Sequence, residues 1–163
     1  MILGMPAELF TKLHVAVSLI GLVAGLVAVL AMVGGRQARG VTALFLAATL
    51  LTSVTGFLFP LRSIGPPHMV GVLSLVALAA AFWGLYRRRL VGPWRLIYIV
   101  SATAALWFNA FVAVVQAFQR VPVLALMAPR GNEPPFLVAQ AAVLALCAML
   151  GLAAARNFKP APG

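Results

Sequence analysis

The chain has 163 residues, of which 64% are hydrophobic and 9% are charged, and its mean hydropathy is +1.09. A soluble globular protein carries about a quarter charged residues, so this composition excludes that class and indicates an integral membrane protein. The net charge of +10 does not point to nucleic acid, because the arginines lie in short clusters at the ends of apolar runs, where they set membrane orientation and contact anionic head groups of the lipid bilayer.

Five apolar segments follow one another along the chain, at about 10–33, 41–59, 67–86, 94–118 and 135–155. Each is close to the roughly 20 residues that a helix needs to cross the hydrocarbon core. We predict an all-α fold, a polytopic transmembrane bundle of five spanning helices that forms a single domain over residues 1–163. Four spans plus an interfacial segment remain the alternative.

The segment 120–134 separates the fourth and fifth runs. Its apolar part, 121–128, is too short to cross a bilayer alone. We predict that it lies along the outer interface as an irregular or partly helical lid.

Orientation follows from the distribution of Lys and Arg between the two sets of helix ends. Eight lie at one set of ends: Arg36, Arg39, Arg87, Arg88, Arg89, Arg95, Arg156 and Lys159. Four lie at the other: Lys12, Arg62, Arg120 and Arg130. Because the excess marks the cytoplasmic side, we predict an outer N-terminus and a cytoplasmic C-terminus.

With this topology, both histidines and both carboxylates of the chain fall at the outer face: Glu8, His14, His68 and Glu133. Ionisable groups at membrane depth are costly and tend to mark function. Each also has a structural interpretation, as a solvated interfacial residue or, for Glu133, as a charge at a positive helix N-terminus. Their coincidence at one face indicates a shared polar pocket.

Three amides extend this polar set into the helices. Asn109 and Gln116 follow the fourth helix outward, and Gln140 lies about two turns into the fifth. A primary amide in hydrocarbon needs partners, which either a ligand or an interhelical hydrogen bond supplies. We therefore expect all five helices to contribute to one outer pocket, closed by segment 120–134.

Several ligands suit such a pocket. A haem b needs two histidines on facing helices, and His14 and His68 are the only pair. A metal ion would use both imidazoles with Glu133 or Glu8. A quinone would need hydrogen-bond partners such as His14, Asn109 or Gln140 in an apolar cleft. The predicted cofactor-binding residues are His14, His68, Asn109, Gln116 and Gln140; the predicted metal ligands are His14, His68 and Glu133.

The stretch from Asn109 to Pro122, with Ala128-Pro129, the Glu133 to Phe136 run and Gln140, resembles a pattern in small bacterial inner-membrane proteins of unassigned function. The resemblance covers roughly the last third of the chain and implies a bacterial inner-membrane location without implying an activity.

Three functional classes follow from these observations. The first is an accessory subunit of a membrane protein complex, or a protein that binds a small molecule or cofactor. The second is a haem- or metal-binding redox protein that uses His14 and His68. The third is a channel or transporter formed by a homo-oligomer. No catalytic motif is present, so we predict no catalytic residues.

Overall fold

A computed structural model describes residue 2 and residues 4–59 and 66–159, and most of these are helical. The helices are α1 (Ala7–Val33), α2 (Arg39–Gly56), α3 (Pro66–Phe82, continued by a π-helical turn at Trp83–Arg87), α4 (Trp94–Arg120), α5 (Pro122–Met127) and α6 (Pro134–Asn157). In this part of the chain, five helices are long and apolar enough to cross a membrane, namely all except α5. The predicted all-α bundle of five spans is confirmed, and the protein is a multi-pass membrane protein.

Helix α1 begins earlier than the apolar pattern predicts. Its first turn contains polar side chains that support the helix locally: the Thr11 hydroxyl donates to the Ala7 carbonyl, and Lys12 pairs with Glu8 at 2.6 Å. Such pairs four residues apart stabilise a helix end without any apolar contact. His14 consequently lies two turns from the start of the helix, about 10 Å along its axis.

Helix α4 ends where a proline makes continuation unfavourable. Val121 precedes Pro122 and has the extended conformation (φ −87°, ψ 116°) that a residue before proline prefers. The chain then forms the six-residue helix α5, which packs against α4. Its apolar side chains face outward, and Leu126 is 84% exposed. The segment 120–134 is thus partly helical, as predicted.

Helices α1 and α4 are the centre of the bundle. The main neighbours of α1 are α2, α4 and α6, and those of α4 are α1, α3 and α6. Successive spans run antiparallel, so the ends of α1, α3 and α6 meet the starts of α2 and α4 at the arginine-rich end. We call the opposite end, which contains His14 and His68, the histidine end. Arg62, which the charge count assigns to that end, lies outside the described residues.

The packed core lies towards the arginine-rich end. It contains the later halves of α1, α3 and α6 and the earlier halves of α2 and α4, including Val29, Phe45, Leu78, Ile99 and Ala154. Close approach of α1 and α2 depends on Gly25, because a Cβ placed there would lie 2.6 Å from Cε2 of Phe45. Small residues allow this kind of contact between spanning helices.

Polar contacts close the same end. The Arg95 guanidinium donates to the carbonyl oxygens of Ala155 (3.0 Å) and Phe158 (2.7 Å), which satisfies carbonyls that the end of α6 would leave unpaired. The Asn157 amide donates to the Val33 carbonyl and ties α6 to the end of α1. These bonds hold α6 against α1 and α4 at their arginine-rich ends.

The loop between α3 and α4 is also fixed to the core. Leu90 has a left-handed backbone (φ +61°), which L residues rarely adopt, yet its side chain is buried in the core. Its N–H donates to the Gly84 carbonyl at 3.0 Å. Burial and this hydrogen bond together offset the cost of the backbone conformation.

Candidate functional site

A cavity of about 940 Å³ lies at the histidine end, between α1, α2, α3 and α4. Its volume is within the range of about 300–1,000 Å³ that small-molecule sites occupy. Most of its wall area is apolar, but eleven of its 23 lining residues have polar or ionisable side chains. They are Thr11, Lys12, His14, Ser18, Thr52, Ser53, His68, Ser74, Asn109, Gln116 and Arg120.

His14 is held in one orientation by α2 and the residues after it. Its Nδ1 lies 2.8 Å from the Thr55 hydroxyl oxygen. The Thr55 hydroxyl donates its own proton to the Leu51 carbonyl at 2.6 Å, so His14 Nδ1–H is the donor to Thr55. In the neutral ring Nε2 then carries the lone pair. The ring also packs edge-to-face on Phe59, with centroids 5.1 Å apart.

His68, near the start of α3, lines the other side of the cavity. Its ring lies beside Phe57, with centroids 6.1 Å apart. The two histidines therefore pack against two phenylalanines of the same short segment after α2, and both line one cavity. Both members of the predicted histidine pair are therefore in one lining, and their use as haem ligands stays a prediction.

A hydrogen bond between α4 and α2 lies at the deep end of the cavity. Asn109 Nδ2 donates to the Thr49 hydroxyl at 3.0 Å, and Thr49 is fully buried. Gly21 of α1 makes room for this pair, since a Cβ there would lie 3.2 Å from the Thr49 oxygen and 3.3 Å from Asn109 Nδ2. Asn109 thus joins two helices, as one interpretation of this amide predicts, and it also lines the cavity; contact with a ligand stays a prediction.

Hydroxyl groups line the wall formed by α2 and α3. Ser53 and Ser74 lie 3.1 Å apart and bridge these helices. The Thr52 hydroxyl oxygen is buried and, among the described residues, has no hydrogen-bond partner. A buried hydroxyl without a partner costs about 1–3 kcal/mol. This oxygen has almost no accessible surface, so it does not face the open cavity.

Basic groups mark the outer limit of the cavity. Lys12 is near the start of α1, and Arg120 is the last residue of α4. Arg120 Nε donates to Gln116 Oε1 at 2.8 Å, which places Gln116 in the lining as a partner of Arg120. About 16 Å of helix separates Arg120 from Asn109, so the cavity extends from the end of the bundle well into the spans.

Two residues that the sequence assigns to the site, Gln140 and Glu133, do not line the cavity. Gln140 of α6 donates to the Phe111 carbonyl at 3.2 Å and does not line the cavity. Helix α6 packs on the far side of α4, so the expectation that all five helices contribute is wrong. Segment 121–134 is also missing from the lining, and it does not form the expected lid.

Glu133 belongs to the loop before α6. Its carboxylate accepts hydrogen bonds from the backbone N–H groups of Arg130 (3.0 Å) and Asn132 (3.1 Å). Desolvation alone would raise the pKa of this carboxyl, but these backbone donors outweigh it and lower the pKa below its ordinary value. Glu133 is a loop-stabilising anion with no contact to the cavity.

The proposed metal set is therefore not assembled. Neither Glu133 nor Glu8 lines the cavity with His14 and His68. Glu8 forms an ion pair with the lining residue Lys12. Among the residues that the structure describes, no three His, Cys, Asp or Glu side chains form a metal-binding group. His14 and His68 both line the cavity, but neither carboxylate of the predicted metal sites lies in the lining with them.

Sequence reasoning missed several residues of the site. Lys12 and Arg120 entered only the orientation count, although the spacing of Gln116 and Arg120, four residues apart on one helix, predicts their contact. Hydroxyls in a membrane helix commonly bond to the backbone of their own helix, so the sequence carries no signal for Ser53 or Thr55. Thr55 does bond to its own helix, but it also positions His14.

Comparison with known proteins adds no family to this description. No family model matches the chain, and no curated protein and no solved structure matches it.

Proposed function

We propose that this membrane protein binds an amphipathic small molecule in the cavity at the histidine end. The observation that carries the proposal is the cavity itself: it is large, most of its wall area is apolar, and its polar groups lie at different depths. Ligand sites typically combine an apolar wall with placed polar groups that set orientation. Here His14 Nε2 is the group with hydrogen-bonding capacity to spare.

A haem b is the second candidate. It is favoured by the presence of both histidines in one lining and by the Thr55 contact, which fixes the His14 ring through Nδ1 and leaves Nε2 as a ligand atom. His14 and His68 would hold the iron, and the group would supply one-electron chemistry. A quinone belongs to the first proposal, as a neutral amphipathic ligand.

Cavity filling tests the proposal. Ala113→Trp places a large ring in the lining, whereas Ala145→Trp places the same ring on an exposed face of α6. The protein, purified in mild detergent, would be extracted with organic solvent and the released molecules identified by mass spectrometry. We expect wild type and Ala145→Trp to retain the same molecule and Ala113→Trp to lose it. Equal retention in all three proteins would contradict the proposal.

The absorption spectrum of the same samples separates the two candidates. A Soret band that Ala113→Trp abolishes and Ala145→Trp keeps would select haem. A retained lipid-like or quinone-like molecule without that band would select the first proposal.

We further propose a bacterial inner-membrane location, which the resemblance over the last third of the chain supports, and an outer N-terminus with a cytoplasmic C-terminus, which the eight-to-four distribution of Lys and Arg supports. A partner membrane protein or a second copy would use the exposed apolar faces of the spans. A cytoplasm-specific reporter should work after Lys159 and fail near Arg130. The reverse result would place the cavity at the cytoplasmic face.

A further inference from the structure

The ionisable groups in the cavity are all basic. Lys12, His14, His68 and Arg120 line it, whereas the only two acidic residues of the chain, Glu8 and Glu133, do not. A cationic ligand would meet repulsion from Lys12 and Arg120 and no compensating carboxylate. The charge distribution therefore favours an anion or a neutral molecule over a cation.

The two permanent cations are at the right depth for a head group. Lys12 is near the first turn of α1 and Arg120 ends α4, so both lie at the limit of the spans, where long basic side chains reach the polar interface. The apolar part of the lining, including Val15, Leu19 and Val112, lies deeper along the same helices. Cations at the limit of the spans, with apolar side chains between the hydroxyls and the amide of the deeper lining, match a molecule with one charged end and one largely apolar chain.

The present partners of these cations do not prevent binding. The side chains of Lys12 and Glu8 are 71% and 80% exposed, and an exposed pair of this kind contributes little to stability because water screens it. Lys12 can exchange Glu8 for a ligand anion at small cost. Arg120 uses Nε for Gln116, and its two Nη nitrogens have the spacing that binds a carboxylate or phosphate in bidentate fashion.

We infer that the cavity takes an anionic amphiphile, with its carboxylate or phosphate between Lys12 and Arg120 and its apolar chain directed towards Asn109. This rests on the proposed function and specifies its ligand class. Carboxylate and phosphate share the recognition chemistry, since both are oxyanions that accept charge-assisted hydrogen bonds from Lys and Arg. A hydrogen bond to a charged group contributes about 1.5–3 kcal/mol, which corresponds to about tenfold or more in affinity.

Competition labelling tests this inference. The detergent-solubilised full-length protein would be labelled with a diazirine-bearing hexadecanoic acid, and crosslinks would be mapped by mass spectrometry to residues 11–19 and 108–120. Hexadecanoic acid, hexadecyl phosphate, hexadecanol and hexadecyltrimethylammonium would serve as competitors. We expect one or both anions to compete at concentrations about tenfold lower than hexadecanol, and the cation to compete worst. The better anion identifies the head group.

Matched variants separate local recognition from net charge. Lys12→Gln/Arg120→Gln should bind hexadecanoic acid no better than hexadecanol, whereas Arg39→Gln/Arg87→Gln, which removes the same charge at the other end, should keep the preference. Equal loss in both double variants, or equal competition by alcohol and acid in wild type, would overturn the head-group inference and leave the proposed cavity function intact. Absence of labelling in both peptides would instead count against the cavity function itself.

Discussion

The two ends of the bundle contain similar types of residue, but one end is tightly packed and the other contains a cavity. At the arginine-rich end Gly25 lets α2 approach until Phe45 fills the space, whereas at the histidine end the nearest atom to a Cβ on Gly56 would be His14 Cε1, at 3.9 Å. Arg95 saturates carbonyls at one end, while the Thr52 hydroxyl is without a described partner at the other. One end is closed by packing and the other contains a cavity, so the packed core and the proposed binding site lie in different halves of the same helices.

The largest effect on this comparison should come from Arg95. Arg95→Gln removes the charged donor from the Ala155 and Phe158 carbonyls, which should cost about 1.5–3 kcal/mol of unfolding free energy. Thermal unfolding in detergent would measure the loss. Arg156→Gln, an exposed charge in the last turn of α6, is the control and should change stability by less than about 0.5 kcal/mol. Equal losses of stability in the two variants would show that the positive charge, and not the two hydrogen bonds from Arg95, stabilises this end of the bundle.

The glycine pair tests packing directly. Gly25→Ala forces a methyl group against the Phe45 ring and should destabilise the bundle by about 1–3 kcal/mol, as overpacking does. Gly56→Ala makes only an ordinary van der Waals contact with His14 and should be neutral or slightly stabilising, because alanine has the higher helix propensity. Chemical or thermal unfolding of the two variants measures the contrast. Similar losses in both would mean that the histidine end is as tightly packed as the core.

Asn109 lies at the boundary between the two regions. Asn109→Leu removes the hydrogen bond to Thr49, and such bonds between membrane helices contribute about 0.6 kcal/mol on average. We expect a small loss of stability together with a clear change in what the cavity retains. Thr49→Val removes the other partner and should match the stability loss while leaving retention closer to wild type. A stability loss of several kcal/mol in Asn109→Leu would make Asn109 a core residue and not a residue of the cavity lining.

The smallest effect should come from Glu133. Because its folded pKa is lowered, the carboxylate stabilises the loop at pH values above the ordinary glutamate pKa, and this contribution disappears as the pH falls through the folded value. Glu133→Gln should therefore differ slightly from wild type at neutral pH and not in acid, with ligand retention unchanged. The pH dependence of thermal unfolding measures this. Loss of retained ligand in Glu133→Gln would return this residue to the site.

The sequence predicts the number of spans and the end at which His14, His68, Asn109 and Gln116 meet, because run length and alternating topology determine both. It does not predict the rotation of α6 about its axis. That helix is apolar on nearly every side, with Leu144 and Leu152 exposed and Cys147 and Ala154 buried, so no contrast between faces indicates where Gln140 points.

The segment after α2 shows a second limit. The positions of Phe57 and Phe59 beside the histidines depend on how the chain turns after Gly56, and an apolar run does not specify a turn. Similarly, Arg120 and Lys12 meet at one cavity only because α1 and α4 pack together. Contacts between distant helices of this kind need the packed structure.

Cysteine accessibility along α4 tests the central claim most directly. In a Cys147→Ala background, Ala113→Cys places a thiol in the cavity lining, and Ala105→Cys places one in the packed core, where Ala105 is fully buried. The measurement is the rate of N-ethylmaleimide labelling in mild detergent. We predict rapid labelling at position 113, slowed by hexadecanoic acid, and little labelling at position 105. Equal rates at the two positions, or faster labelling at 105, would contradict the division of this bundle into a closed end and an accessible one.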